Sequence, residues 1–365
     1  MNANKTRIGI IGASEKRGWA AWGHIPALQV LPDYEISALF TSKKENTATL
    51  KAAFNVPVVY NEIQDLVHSK EVDMVLVAVK VPSHYELIKA AADAGKDVFS
   101  EWPLGRNLQE AETLTALIKE KRVKGFVGLQ SRSVPAVRFI KDYIAQGHIG
   151  EVLSTTMVGA GILYGEVVDQ ANTYIVNPEA GAGLLPVIFS NAVDALCYVL
   201  GEFTSLSATT AIRRTKTRVI ETGEEIPANT PDQVAVTGIL ESGAVAAVHF
   251  RGGTIPGTNF LWEINGTQGD IQITAPGASL AVFDLTVKAS KGENGPLEEL
   301  AIPTAYNLIP DASLGPIPTN SGQNYPLIRS GQAPTFEDAL IRHRMIHAIE
   351  TAAQTGERTS YDFSR

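Results

Sequence analysis

Residues 72–105 read VDMVLVAVKVPSHYELIKAAADAGKDVFSEWPLG, and this stretch decides the fold. Asp73–Val79 is an almost unbroken apolar run, the pattern of a central parallel strand covered on both faces. His84–Ala94 has helical spacing and is closed by Gly95, a C-cap signal. Asp97–Phe99 is apolar again, so the stretch is a strand–helix–strand unit. The same alternation extends outward. Toward the N-terminus the pattern predicts strands at Arg7–Ile11, Glu35–Phe40 and Pro57–Val59. It predicts helices at His24–Leu31, Lys44–Phe54 and Ile63–His68. Toward the C-terminus come a helix over Leu108–Lys121 and a strand over Lys124–Leu129. Strands alternating with helices predict a parallel sheet over residues 1–129.

The texture changes after Leu129. A helix over Val134–Gln146 ends at Gly147. From about 151 to 300 the apolar residues alternate with period two, as in Val152–Val158, Val234–Leu240, Ala244–Phe250, Phe260–Ile264 and Asp270–Thr274. This predicts a mostly antiparallel sheet with one helix, Val187–Leu200. Residues 302–334 are rich in Pro, Gly, Asn and Ser and read as an ordered surface loop; Thr335–Thr355 is a final helix. Two domains are expected: an α/β domain over 1–129, and an α+β domain with an open, mostly antiparallel sheet over 130–365.

Composition narrows the function classes. Hydrophobic residues make up 44% and charged residues 19%, enough apolar material for two cores, and the formal net charge is −8. An acidic chain without a block of basic charge is a poor binder of nucleic acid or anionic membrane, so neither is expected as a direct partner. The single cysteine, Cys197, lies in an apolar run and reads as a buried small hydrophobe. The first apolar run is too short for a signal-peptide core, and no stretch is read as long enough to span a membrane. A cytoplasmic location is the expectation.

The first strand leads into Gly9–Ala20, GIIGASEKRGWA. A glycine-rich turn between the first strand and first helix lets backbone N–H groups approach a pyrophosphate. Gly12 fits the G-x-G-x-x-G spacing, Ser14 replaces the second glycine, and the third is displaced by one to Gly18. Lys16 and Arg17 are expected near the phosphates. A plain strand–helix turn would read much the same by itself; the alternating units that follow favour a dinucleotide-binding Rossmann domain. The second strand ends in Phe40-Thr41-Ser42-Lys43-Lys44 rather than in an acid. Hydroxyls and cations there suit a 2′-phosphate, so NADP is favoured over NAD. The alternative is an ordinary helix start with solvated lysines.

These features together resemble the glucose–fructose oxidoreductase/inositol dehydrogenase (Gfo/Idh/MocA) family. The similarity lies in the glycine turn, the x-P-x-x-H helix of the opening stretch and its Glu-Trp-Pro in place of Glu-Lys-Pro. It continues in NPEAGAGLL (177–185), INGTQGDIQI (264–273) and the terminal helix. GWA after the displaced glycine, HIPAL, SHYE, LQSR and GHIGEV are shared with a subgroup that resembles the fungal galactose-regulon repressor, a catalytically silent member. The resemblance implies a carbohydrate-like substrate or ligand and a homodimer or homotetramer formed through the open sheet.

It also implies positions for the chemistry. Where the family has its catalytic lysine this chain has Trp102; the aspartate falls at Val187 and the histidine at Asn191, while a later aspartate survives as Asp194. Trp and Val cannot transfer protons, and Asn191 can hydrogen-bond a hydroxyl but is no base. Glu101 is expected near the nicotinamide ribose, with Pro103 fixing its turn. Trp102 reads either as a stacking platform beside the nicotinamide or as a packing residue. Val79, His84, Trp19 and Gln130 are further cofactor candidates; His84 is alternatively a simple helix-start histidine. Tyr174 is the first candidate for a replacement acid–base group. Tyr164 and Arg132 lie in loops expected to rim the pocket. Two functions compete: an oxidoreductase acting on a sugar or polyol with non-standard acid–base residues, and a non-catalytic NADP-binding regulator. His343 and His347 share a helical spacing that binds metal in other contexts, but they read as a surface pair.

Overall fold

The computed structural model describes residues 5–15, 17–292 and 295–364. Met1–Ser133 with Asn307–Leu340 form one compact unit, and Val134–Tyr306 with Ile341–Arg365 form another.

The first unit is built on β1 (Thr6–Ile11), β2 (Tyr34–Phe40), β3 (Val58–Tyr60), β4 (Met74–Val77), β5 (Asp97–Ser100) and β6 (Gly125–Val127). All pair in parallel, in the order β3-β2-β1-β4-β5-β6. Successive strands are added in opposite directions on the two sides of β1, and such a switch point is where open α/β sheets leave a crevice, here at the carboxyl ends of β1 and β4. Ile8, Ile10, Val75, Leu76 and Val77 are wholly buried, which is why these strands read as continuous apolar runs. The helix His84–Asp93 buries Ile88, Ala91 and Ala92, and Gly95 follows at φ +73°. The first helix starts earlier than its spacing suggests, with a π turn at Ala20–His24 running into Ile25–Val30. Pro26 has no N–H to return to Trp22, and the wider turn accommodates it.

Residues 302–334 are not a surface loop. Pro316–Gly322 and Asn324–Ser330 are helices, and Asn320, Ser321, Gly322, Asn324, Tyr325 and Leu327 are buried. A Cβ on Gly322 would lie 2.6 Å from the Ala27 Cβ, so glycine permits close packing on the first helix. The segment ends at Pro334, whose carbonyl accepts from the Val127 N–H at 3.0 Å, next to the Thr335–Phe126 bridge. Its composition suggested a loop because Pro, Gly and Asn are poor interior helix formers; Pro316 sits in a first turn, where proline is tolerated, and burial overrides the rest.

The second unit carries β7 (Val152–Gly161), β8 (Val167–Val168), β9 (Phe203–Ala211), β10 (Lys216–Val219), β11 (Glu225–Pro227), β12 (Gln233–Leu240), β13 (Val245–Gly252), β14 (Phe260–Gly266), β15 (Asp270–Ala275), β16 (Thr286–Ala289) and β17 (Glu298–Glu299). Its main sheet has the order β17-β16-β15-β14-β7-β13-β12-β9 and is antiparallel except where β13 runs parallel to β7. Met157, Phe250, Trp262, Ile264 and Ile273 line its covered face, and Phe189 meets Phe250 edge-on at 5.2 Å, packing the helix against it. That helix begins with a π turn at Leu185–Phe189 and continues through Ser190–Leu200. The expectation that no stretch reaches membrane-spanning length fails on composition: Pro178–Leu200 qualifies by length and hydropathy, but 67% of its apolar window is buried in the protein. His343 and His347 are not an exposed pair; His343 is buried and His347 exposed. Cys197 is buried, and burial pushes its thiol well above the usual range.

Candidate functional site

The carboxyl edge of the parallel sheet collects most of the residues singled out for cofactor binding. Gly12 follows β1 at φ +110°, and a Cβ there would stand 2.2 Å from the Ala78 carbonyl oxygen. Only glycine allows the β1 loop to lie this close to the β4 loop. Gly18 has φ +102°, and its carbonyl accepts from the N–H groups of Ala21 and Trp22, both at 3.1 Å, opening the first helix. Its role is conformational rather than steric, since a Cβ would have open space around it. Ser14 and Trp19 are half-buried and Arg17 exposed; Lys16 lies outside the described residues. The Trp19 Nε1 is buried with no hydrogen-bond partner among the described residues. A cradle that a Cβ would fill and an orphaned donor beside it fit a phosphate-bearing dinucleotide. Ser42 and Lys43 are exposed after β2; the Lys43 N–H donates to the Thr41 hydroxyl at 3.2 Å.

His84 ties two of these loops together. Its Nδ1 is 2.8 Å from the Pro103 carbonyl and its Nε2 3.0 Å from the Val79 carbonyl. Burial, the largest influence, holds its pKa below the usual imidazole range against the opposing pull of the two carbonyls. Trp102 is 7% exposed, and its peptide bond to Pro103 is cis. The indole is therefore largely packed rather than free-standing.

Glu101, directly after β5, has a side chain 12% exposed. Its Oε1 lies 2.7 Å from His24 Nε2, and Gln130 Nε2 donates to both carboxylate oxygens at 2.8 Å. His24 Nδ1 lies 2.7 Å from the Tyr325 hydroxyl. A Cβ on Gly128 would sit 2.7 Å from Glu101 Oε1, so that glycine makes room for the carboxylate. His24 and Tyr325 were missed from the sequence as site residues. HIPAL was visible as a motif, but nothing local marks Tyr325, which lies in the segment read as a loop.

The second unit holds the remaining candidates. Tyr174 is half-buried in a 3-10 turn at Gln170–Val176; burial first, then the Asp169 charge, raises its phenol pKa. Val187 lies in the π turn and half-buried Asn191 in the helix that continues it. Tyr164 is buried, its hydroxyl donating to the Ala182 carbonyl at 3.2 Å. Asp194 is wholly buried, with Arg342 Nε 3.5 Å from its Oδ1. Arg342 also pairs with Glu202, whose other oxygen accepts from the Tyr361 hydroxyl at 2.6 Å. Arg132, in the first unit, pairs with Asp338 at 2.9 Å.

A dinucleotide cradle on a 3-2-1-4-5-6 sheet, followed by a domain with an open sheet, defines an oxidoreductase-type architecture. Residues 6–129 match the model of an oxidoreductase family with an NAD-binding Rossmann fold. Residues 135–275 match the model of the Gal80p C-terminal domain. Dehydrogenase aclE of Aspergillus oryzae is 28% identical, over 99% of this chain and 100% of that protein. A super-repressor mutant of Gal80p from Saccharomyces cerevisiae superposes with a TM-score of 0.87 at 23% identity, covering 98% of this chain and 97% of that one. Levoglucosan dehydrogenase in complex with NADH and levoglucosan superposes with a TM-score of 0.84 at 20% identity, covering 99% and 100%. At those identities the two structures speak to the fold alone.

Proposed function

We propose that this chain is an NAD(P)H-dependent oxidoreductase that reduces a carbonyl on a carbohydrate-like substrate, with Tyr174 as its proton donor. The observation that carries the reading is the Tyr174 phenol, raised by burial and by Asp169 in a chain whose family acid–base positions hold Trp102, Val187 and Asn191. A phenol keeps its proton at neutral pH and can give it to a developing alkoxide, the stronger base; the raised pKa makes Tyr174 a weaker donor than an exposed phenol and a poor source of phenolate base. Hydride comes from the nicotinamide bound on the first unit. Asn191 is assigned to a substrate hydroxyl. Asp194 is assigned a structural part, because its carboxylate is buried against Arg342. Ser42 and Lys43, exposed after β2, support a preference for NADP over NAD. Levoglucosan dehydrogenase and two inositol dehydrogenases among the relatives support the substrate class. A cytoplasmic homo-oligomer completes the reading.

One observation favours the second reading, a non-catalytic NADP-binding regulator. None of Trp102, Val187 and Asn191 transfers protons, and the second domain is of the Gal80p type. The deciding experiment follows reduced-nicotinamide absorbance with a panel of ketoses, aldoses and polyols, for the wild type and Tyr174→Phe. Turnover with reduction favoured over oxidation at neutral pH, lost by about 10²-fold or more in the variant, supports the reductase. No turnover by the wild type with any substrate supports the regulator. Turnover unchanged in Tyr174→Phe removes Tyr174 from the mechanism.

A further inference from the structure

We propose that His24 and Tyr325 are positioning residues that orient the Glu101 carboxylate toward the nicotinamide ribose of the bound cofactor. The inference rests on the cofactor reading above and goes beyond it, because it assigns the helix after β1 and the returning segment 307–340 a part in holding that half of the dinucleotide.

Protons can be followed through the contacts. Tyr325 is wholly buried, and burial together with the Glu101 charge holds its phenol well above the usual range, so its hydroxyl stays protonated and must donate. Its side-chain partner is His24 Nδ1 at 2.7 Å. An Nδ1 that accepts leaves the proton on Nε2, which then donates to Glu101 Oε1 at 2.7 Å. Gln130 donates to both oxygens of the same carboxylate. The carboxylate thus accepts three hydrogen bonds from described residues, filling three of its roughly four acceptor sites. The fourth is open to a hydroxyl, and the side chain keeps a 12% exposed edge at the carboxyl end of β5. A ribose diol is the donor that a dinucleotide brings to the end of such a strand.

Tyr325 is itself fixed on two sides. The Tyr34 hydroxyl donates to its backbone carbonyl at 2.7 Å, and the Phe99 ring stacks on it with centroids 5.7 Å apart. His24 is wholly buried and meets Phe99 edge-on at 5.4 Å. Such a chain sets one tautomer and one rotamer, which a carboxylate on a loop end would not otherwise hold.

The test is calorimetric titration of the full chain with NADH and, separately, with ADP, which carries no nicotinamide ribose. His24→Ala is expected to lower NADH affinity about tenfold or more while leaving ADP affinity unchanged. Tyr325→Phe, which removes one oxygen and keeps the packing, is expected to give a smaller loss of the same kind. His24→Gln restores a donor to Glu101 and should recover part of the NADH affinity. Adding Glu101→Gln to His24→Ala should cost little beyond the single change, since both act through one carboxylate. NADH binding unchanged in both single variants overturns the proposal. So does a parallel fall for NADH and ADP, or an additive double variant. A wild type that binds ADP and neither NADH nor NADPH overturns the cofactor reading and this proposal with it, an outcome distinct from the others.

Discussion

Each compact unit buries a carboxylate beside a phenol, and the two arrangements differ in what holds the charge. In the second unit the Arg342 guanidinium, wholly buried, stands between Asp194 and Glu202, and Tyr361 donates to Glu202 at 2.6 Å. In the first unit an imidazole and an amide hold Glu101 among the described residues, with no lysine or arginine paired to it there, and Tyr325 acts one step removed. A guanidinium between two acids locks three elements of the fold, because removing it strands two buried charges. Neutral donors orient a carboxylate while leaving acceptor capacity for an arriving hydroxyl. Position reinforces the difference. Glu101 ends a parallel strand beside the switch point, where open α/β sheets bind ligands, whereas Asp194 lies in the interior of a helix packed on a sheet.

The comparison breaks if Arg342 can be removed cheaply. Arg342→Met is expected to destabilise the protein by about 3–5 kcal/mol, read from the urea midpoint. A loss below about 1 kcal/mol would show that the second cluster is not what holds that unit together. Any effect on NADH affinity should be small by comparison.

Next in size is a pH effect from the neighbouring His343. Burial pushes its pKa down to about 3. The folded state thus keeps His343 neutral while the unfolded chain takes up a proton below about 6.5. Stability from this group is full above the unfolded value and is lost as pH falls toward the folded one. Between pH 7 and 5 the loss is about 2 kcal/mol. Denaturant unfolding at both pH values, with the wild type and His343→Gln, isolates it: the variant should have the flatter pH dependence, whatever its absolute stability.

The smallest effect on stability is expected at Glu101. Glu101→Gln keeps the shape and an acceptor for His24, so stability should change by about 1 kcal/mol. NADH affinity should nevertheless fall about tenfold. A large loss of stability with intact binding would make Glu101 a second Arg342-type structural charge and erase the contrast between the units.

Local sequence determined the architecture. Apolar runs alternating with helical spacing placed the six parallel strands, and period-two alternation placed the main strands of the second sheet, because side-chain burial follows the faces that each backbone presents. Gly12 and Gly18 were legible for the same reason: a backbone at φ +110° or +102° admits few residues other than glycine. The departures at Trp102, Val187 and Asn191 were legible as residue types, since the inability of an indole or an isopropyl group to carry a proton needs no coordinates. What only the tertiary structure decided lies at long range. Tyr325 reaches His24 across 301 residues of chain, from a segment whose composition suggests a loop. Nothing local in the sequence marks Arg342 as a core residue; its burial follows from Asp194 and Glu202 being placed around it. Propensity and periodicity report a residue's neighbours within a turn or a strand. The partner of a buried polar group is set by how distant elements pack, and that pairing determines whether its charge is fixed in the core or left open to a ligand.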